Sequence, residues 1–308
     1  MDPLVVVQIA VQGAQDVLLA LAAGALACHL LLERSLPFDS AVKGRALARG
    51  RLAALCALVL ACGLYLWLEA AVMSGSSFGA AGAALGAVLT QSHFGMAWAV
   101  GCVGAVFACL AGGARNSRTA WWLAAAGMIV YAAGKAAASH AADAGDFTLR
   151  ETVHVVHLLA TAFWAGSVMV AAALLWRSRL TTAATPAQRV AFCTQLSHLA
   201  TIALGVVIVS GIYNATQDTA HLSAPLLSVL YGRVLTVKLV FVTLAVLLGG
   251  YNRMIHLPHL QAAAQDDDAY RDAQHGFDRL LAVEAIAMLA VLIAAGVLGH
   301  TSPSGGQT

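Results

Sequence analysis

Apolar residues run along this chain in eight long stretches, at about 4 to 32, 52 to 73, 92 to 111, 120 to 140, 151 to 176, 187 to 214, 230 to 252 and 280 to 300, with shorter, more polar connections between them. A helix needs roughly 20 apolar residues to cross the hydrocarbon core of a bilayer, and every stretch reaches that length. Backbone in lipid must satisfy its own N–H and C=O groups, so the pattern predicts helices and not irregular chain. The expected fold class is all-α: a polytopic membrane helical bundle of about eight transmembrane helices.

Composition strengthens this picture and narrows the partners. Hydrophobic residues make up 60% of the 308 positions and charged residues only 10%, with a mean hydropathy of +0.79, so the solvent for most of the chain is the lipid bilayer. A net charge of +2 gives no basic field able to hold a polyanion, which excludes nucleic acid as a partner. The six cysteines (Cys28, Cys56, Cys62, Cys102, Cys109 and Cys193) all lie inside apolar runs, unlike a disulfide framework. The first stretch lacks a basic leading segment and is too long for a cleaved signal, so it is expected to be the first span.

Orientation follows from the basic residues between the spans. One set of connections carries Arg34, Lys43, Arg45, Arg49, Arg51, Arg115, Arg118, Arg177, Arg179, Arg189, Arg253, Arg271 and Arg279, while the alternate set with the two termini carries Arg150. The positive-inside rule then makes both termini periplasmic, for a multi-pass protein of a bacterial inner (cytoplasmic) membrane. The outer connections at 74 to 91 and 218 to 231 are rich in Gly, Ala, Ser and Leu and fit caps on the bundle. The acidic run Asp266 to Asp268 sits in the last inner connection and is expected to be a solvated turn.

The chain also repeats itself. Phe94-Gly95 at the start of span three matches Tyr231-Gly232 at the start of span seven, and Gly63-Leu64-Tyr65 late in span two matches Gly211-Ile212-Tyr213 late in span six. Ser139-His140 at the end of span four matches Gly299-His300 at the end of span eight. Two domains are expected, an N-terminal four-helix half over 1–140 and a C-terminal four-helix half over 151–308, an organisation common in transporters.

The candidate chemistry gathers at the outer surface. Five of eleven histidines, His93, His140, His154, His157 and His300, fall at or just below it on four different spans. His154 and His157 are three apart on one helix, which puts both rings on one face. Met96 follows His93 at the same interval, and Met73 closes span two at similar depth. Imidazole with thioether suits a copper ion, Cu(I) in particular, whereas zinc more usually brings Cys or carboxylate ligands. Each of these residues also fits a plainer role, the histidines as interfacial anchors and the methionines as packing.

Charges inside the spans form a second constellation: Asp16, Glu69, Lys135, Lys238 and Glu284. Each is costly in lipid and is expected to face the bundle interior with a partner. Matching depths suggest Glu69 with Lys135, Asp16 with Lys238, and Glu284 with Arg253 or Arg279. Ion pairs that only fix helix packing are as good an explanation as a role in ion movement. Cysteines and His29 and His198 in the inner half raise the further idea of a soft-ligand route below the outer layer.

Across 151 to 303 the chain resembles the copper resistance protein D (CopD) family of bacterial inner-membrane proteins. The resemblance is carried by His157-Leu158-Leu159-Ala160 running into Trp164-Ala165-Gly166, by Ser210-Gly211, by Tyr231-Gly232-Arg233 followed by Lys238-Leu239, and by Arg279 and Glu284 ahead of Thr301-Ser302-Pro303. The first half is similar through its topology and its Ser139-His140 end, where the family tends to show Gly-His. The resemblance implies copper transport across the inner membrane, usually import, with a separate CopC-type periplasmic copper-binding protein as donor. A nucleotide-binding G-x-x-x-x-G-K-[ST] loop is missing, so ATP is not expected to drive transport, and the protein is expected not to be an enzyme. Two alternatives stay open: a b-type haem electron-transfer membrane protein with axial histidines, and a copper-binding assembly or sensor protein that does not transport.

Overall fold

A computed structural model describes residues 3–35, 40–114, 117–139, 141–142, 145–176, 185–219 and 225–301. Ten α-helices carry it: α1 (Pro3–Ser35), α2 (Ser40–Ser74), α3 (Gly82–Gln91), α4 (His93–Gly113), α5 (Arg118–Ala137), α6 (Leu149–Trp176), α7 (Pro186–Thr219), α8 (Leu230–Tyr251), α9 (Leu257–Ala262) and α10 (Asp267–Leu298). Seven segments among the described residues are long and apolar enough to cross a membrane, those of α1, α2, α4, α6, α7, α8 with its extension, and α10. At 20 residues α5 reaches about 30 Å. Arg118 and Lys135 lower its hydropathy, but it lies along α4 and completes an eight-span helical bundle. The sequence pattern thus anticipated the fold class.

The surface is inverted relative to a water-soluble protein. Large apolar side chains face outward, among them Leu60 at 75%, Leu110 at 70% and Val209 at 73% exposure, while Ala20, Ala22 and Ala23 are buried. Between helices in lipid there is no hydrophobic drive, so close approach of small residues supplies the packing. In the α4–α5 pair Gly104 lies against the backbone of Gly127 and Tyr131, and Gly134 lies against Gly101. At the centre of the bundle Gly24 of α1 and Gly166 of α6 lie backbone to backbone.

Neighbour relations repeat across the two halves. α1 packs on α2 as α6 packs on α7, α4 on α5 as α8 on α10, and α1 on α10 as α6 on α5, with α1 and α6 meeting in the middle. Some relations are not shared: α2 also packs extensively on α4, where α7 has no matching interface with α8, and α1 touches α7, where α6 has none with α2.

Irregular elements sit at the two ends. On the outer side, a 3-10 turn (Phe78–Ala80) and α3 pack over α2, held by Trp67 Nε1 donating to the Phe78 carbonyl at 2.8 Å. At ten residues α3 is a cap and not a span. On the inner side α8 runs through a π turn (Asn252–His256) into α9. Pro258 lacks an N–H and crowds the preceding turn, which explains the widened ladder there. The acidic run does more than meet solvent: Asp266 caps α10 by accepting from the backbone of Asp268 and Ala269.

Candidate functional site

Antiparallel helices bring the start of α4, the end of α5, the start of α6, the end of α7, the start of α8 and the end of α10 to the same end of the bundle. There they surround a cavity of about 410 Å³ to which all eight spans contribute. Its polar wall includes Gln12 and Asp16 of α1, Tyr65 of α2, His93 of α4, Lys135 of α5, Arg150, His154, His157 and Thr161 of α6, Asn214 of α7, and Tyr231 and Lys238 of α8.

His157 is the best-defined group in the wall. Its Nδ1 lies 3.0 Å from Ser210 Oγ, and Ser210 donates its only hydroxyl proton to the Val206 carbonyl at 2.6 Å. Ser210 can therefore only accept from the ring, so Nδ1 carries the proton and Nε2 keeps its lone pair. Gly211 makes room for this ring, since a side chain there would reach 3.1 Å from its Cε1. The Asn214 amide nitrogen lies 3.4 Å from His154 Nδ1, one helical turn earlier on α6.

Of the other outer histidines, His93 and His300 lie within the described residues. His93 also lines the cavity; its Nε2 is bonded to Asp146 at 2.7 Å, and both side chains are more than half exposed. His300 follows α10 and bonds through Nε2 to the Tyr65 hydroxyl at 3.1 Å. Tyr65 in turn donates to Gln12 at 3.4 Å. Burial holds the His300 ring below its ordinary pKa, the Lys135 charge adds to this, and the Gly296 carbonyl and Asp16 work against it. His140 lies outside the described residues. Met96 does not line the cavity, and it and Met73 are about half exposed, at 52% and 51%. Among the described residues no group of three or more His, Cys, Asp or Glu side chains has a metal-holding arrangement.

The intramembrane charges pair differently from the depth argument. Lys135 is ion-paired with Asp16, not with Glu69, and both partners are nearly buried. Glu69 instead accepts from Gln8 Nε2 at 2.7 Å. Depth fixes how far along a helix a residue sits but not which way it points, and Asp16 and Lys135 meet because both point into the cavity. Lys238 lines the same cavity, close enough to His157 to act on it electrostatically. Glu284 has no bond to either expected arginine; Arg253 binds Ser197 and Thr201 instead.

Sequence reasoning missed Ser210, Asn214, Tyr65 and Gln12 as parts of the site. Their signal was present as polar residues within the apolar spans, four residues apart in the case of Ser210 and Asn214. All six cysteines are free. Cys56 and Cys109 lie with sulfurs 3.3 Å apart on the inner half, well away from the cavity wall.

Two family models match the chain. One, described as copper resistance protein D, covers residues 190–298, and the other, described as copper resistance protein D-like, N-terminal domain, covers residues 1–149. No curated protein and no solved structure matches.

Proposed function

The chain belongs to the copper resistance protein D family, and from that premise we propose that it is a copper permease of the bacterial inner membrane, whose outer cavity receives the ion at His154 and His157. The observation that supports this most is the His157 ring, fixed by Ser210 with Nε2 unprotonated at a cavity where all eight spans converge. A ligating histidine is ordinarily oriented by a hydrogen bond at its other nitrogen, and Ser210 supplies it. His154, on the same face, brings a second imidazole about 5 to 6 Å away at Cβ.

Copper is here the cargo. Imidazole ligands suit copper in preference to magnesium or calcium, which take oxygen. Arg150 and Lys238 in the same wall repel a divalent ion about twice as strongly as a monovalent one at equal distance, which favours Cu(I). His93 and His300 are secondary contributors, placed beside the pair and through Tyr65. His140 and Met96 remain candidates from the sequence alone. Import is the direction we favour, with both termini periplasmic and a separate CopC-type protein as donor, because the histidine cavity opens at the end that carries few basic residues.

The test is copper content. Protein with His154→Ala and His157→Ala together, purified folded, is expected to lose at least one bound copper ion relative to wild type, and each single variant to bind it at least tenfold more weakly. A double variant with wild-type copper content overturns this assignment.

A further inference from the structure

The interface between α2 and α4, which has no counterpart between α7 and α8, carries cysteines on both of its helices. Near its inner end the sulfurs of Cys56 and Cys109 lie 3.3 Å apart, with Cys56 exposed and Cys109 partly so. Leu60, one turn along from Cys56, and Leu110, next to Cys109, are exposed as well, so lipid covers the pair. About 10 Å further out along the two helices, Cys62 and Cys102 face each other closely enough to interact. Trp98 Nε1 donates to the Cys62 carbonyl at 3.2 Å, and Trp98 also lines the outer cavity. The thiols of this interface therefore run in two pairs from beneath the outer cavity to the inner end of the bundle.

The chemistry of the inner pair narrows its ligand. Two thiols in contact offer soft donors and nothing else: among the described residues no third His, Cys, Asp or Glu joins them in a metal-holding group. Zinc fills four positions, and magnesium and calcium take oxygen. Cu(I) prefers thiolates and is satisfied by two of them in line. Each sulfur turns on a single χ1 at the bundle surface, so the pair can part to admit an ion. The nearest charge on α2 is Arg51, whose guanidinium lies beside Gly112, one turn beyond Cys109 on α4. Arg51 is 1% exposed, and its Nε and Nη1 have no hydrogen-bond partner among the described residues. A positive charge there opposes a bare cation but favours a negatively charged dithiolate complex.

We propose that Cys56 and Cys109 form a two-coordinate Cu(I) site for the cargo ion at the inner end of the α2–α4 interface, separate from the outer histidine cavity. Two S–H bonds break and two Cu–S bonds form, both protons pass to water on the inner side, and no electron moves. The pair goes from neutral to one negative charge, the sign that the Arg51 guanidinium favours. The proposal rests on the permease reading for the identity of the cargo, while the sulfur contact stands without it.

Thiol alkylation of the full-length protein in lipid, read residue by residue by mass spectrometry, tests the site, with a membrane-permeant maleimide, oxygen excluded and Cu(I) supplied under ascorbate. Cu(I) is expected to slow alkylation of Cys56 and Cys109 at least tenfold, and the Cu(I) chelator bathocuproine to restore it. Cys56→Ser is expected to abolish protection at Cys109 as well, because neither thiol holds the ion alone. His154→Ala, His157→Ala protein at saturating copper is expected to keep the protection, and its loss there overturns the separateness of the two sites. Unchanged alkylation in a wild type that binds copper at the outer pair overturns the inner site alone, as does protection of Cys109 that survives in Cys56→Ser protein. Protection that a thiol reductant reverses and the chelator does not is a disulfide, and overturns it too. A wild type whose thiols show chelator-reversible protection while its vesicles take up no copper overturns the permease reading and upholds the thiol site.

Discussion

His157 shows how much a single hydrogen bond decides. Ser210 donates its proton to Val206, and that choice leaves the imidazole one tautomer, with Nε2 unprotonated and free to act as the ligand proposed above. The sequence displays both residues inside apolar runs, but nothing in the spacing of two different helices says that they meet. Met96 is the reverse case: an interval of three after His93 suggested a shared ligand face, yet His93 sits on the first turn of α4 and reaches out to Asp146, while Met96 is half exposed on the bundle surface. His300 carries a pH signature. Burial lowers its pKa from about 6.5, so the unfolded chain binds the proton more readily than the folded one. Its contribution to stability is therefore full above about 6.5 and is lost as pH falls from there through the folded value. The thermal midpoint of wild type minus that of His300→Gln is expected to shrink as pH drops across this window; a difference independent of pH contradicts it.

At the scale of elements, the eight spans were legible because lipid demands long, uninterrupted apolar helices. The cap over the 74–91 connection was legible too, though not that it is built as helix α3; the π turn was not, since one proline does not reveal how a chain end folds back. Partners across helices were the least legible part. Glu69 and Lys135 share a depth, but Asp16 takes the lysine because α1 lies at the centre of the bundle beside α2, α6 and α10 and presents Asp16 to the cavity. Removing one member of such a buried pair leaves an uncompensated charge, at a cost of about 3–5 kcal/mol. Asp16→Asn and Lys135→Met are each expected to destabilise the folded protein by that amount, and the double variant by clearly less than their sum. Additive losses in unfolding measurements would show that the two do not act as a pair.

For the whole molecule, the outer cavity and a second one between α7 and α8 lie at opposite ends of a bundle in which Gly24 of α1 and Gly166 of α6 meet backbone to backbone. The outer one is lined by imidazoles and the inner one by a carboxyl, an amide oxygen and a thiol. Arg233, counted within its span by sequence, sits on the first turn of α8 and holds the Leu227 and Ser228 carbonyls. That end of the bundle then carries Arg233 beside Arg150, still far fewer basic residues than the opposite connections, and the proposed orientation rests on this difference. The most direct test of the central claim is copper uptake by sealed vesicles containing the purified protein, sorted by which face points outward. Copper(I) is predicted to accumulate in vesicles whose histidine cavity faces the bath, at least tenfold faster than in vesicles carrying the His154→Ala, His157→Ala protein. Accumulation no faster than in protein-free vesicles, by a wild type that binds copper, would contradict the account.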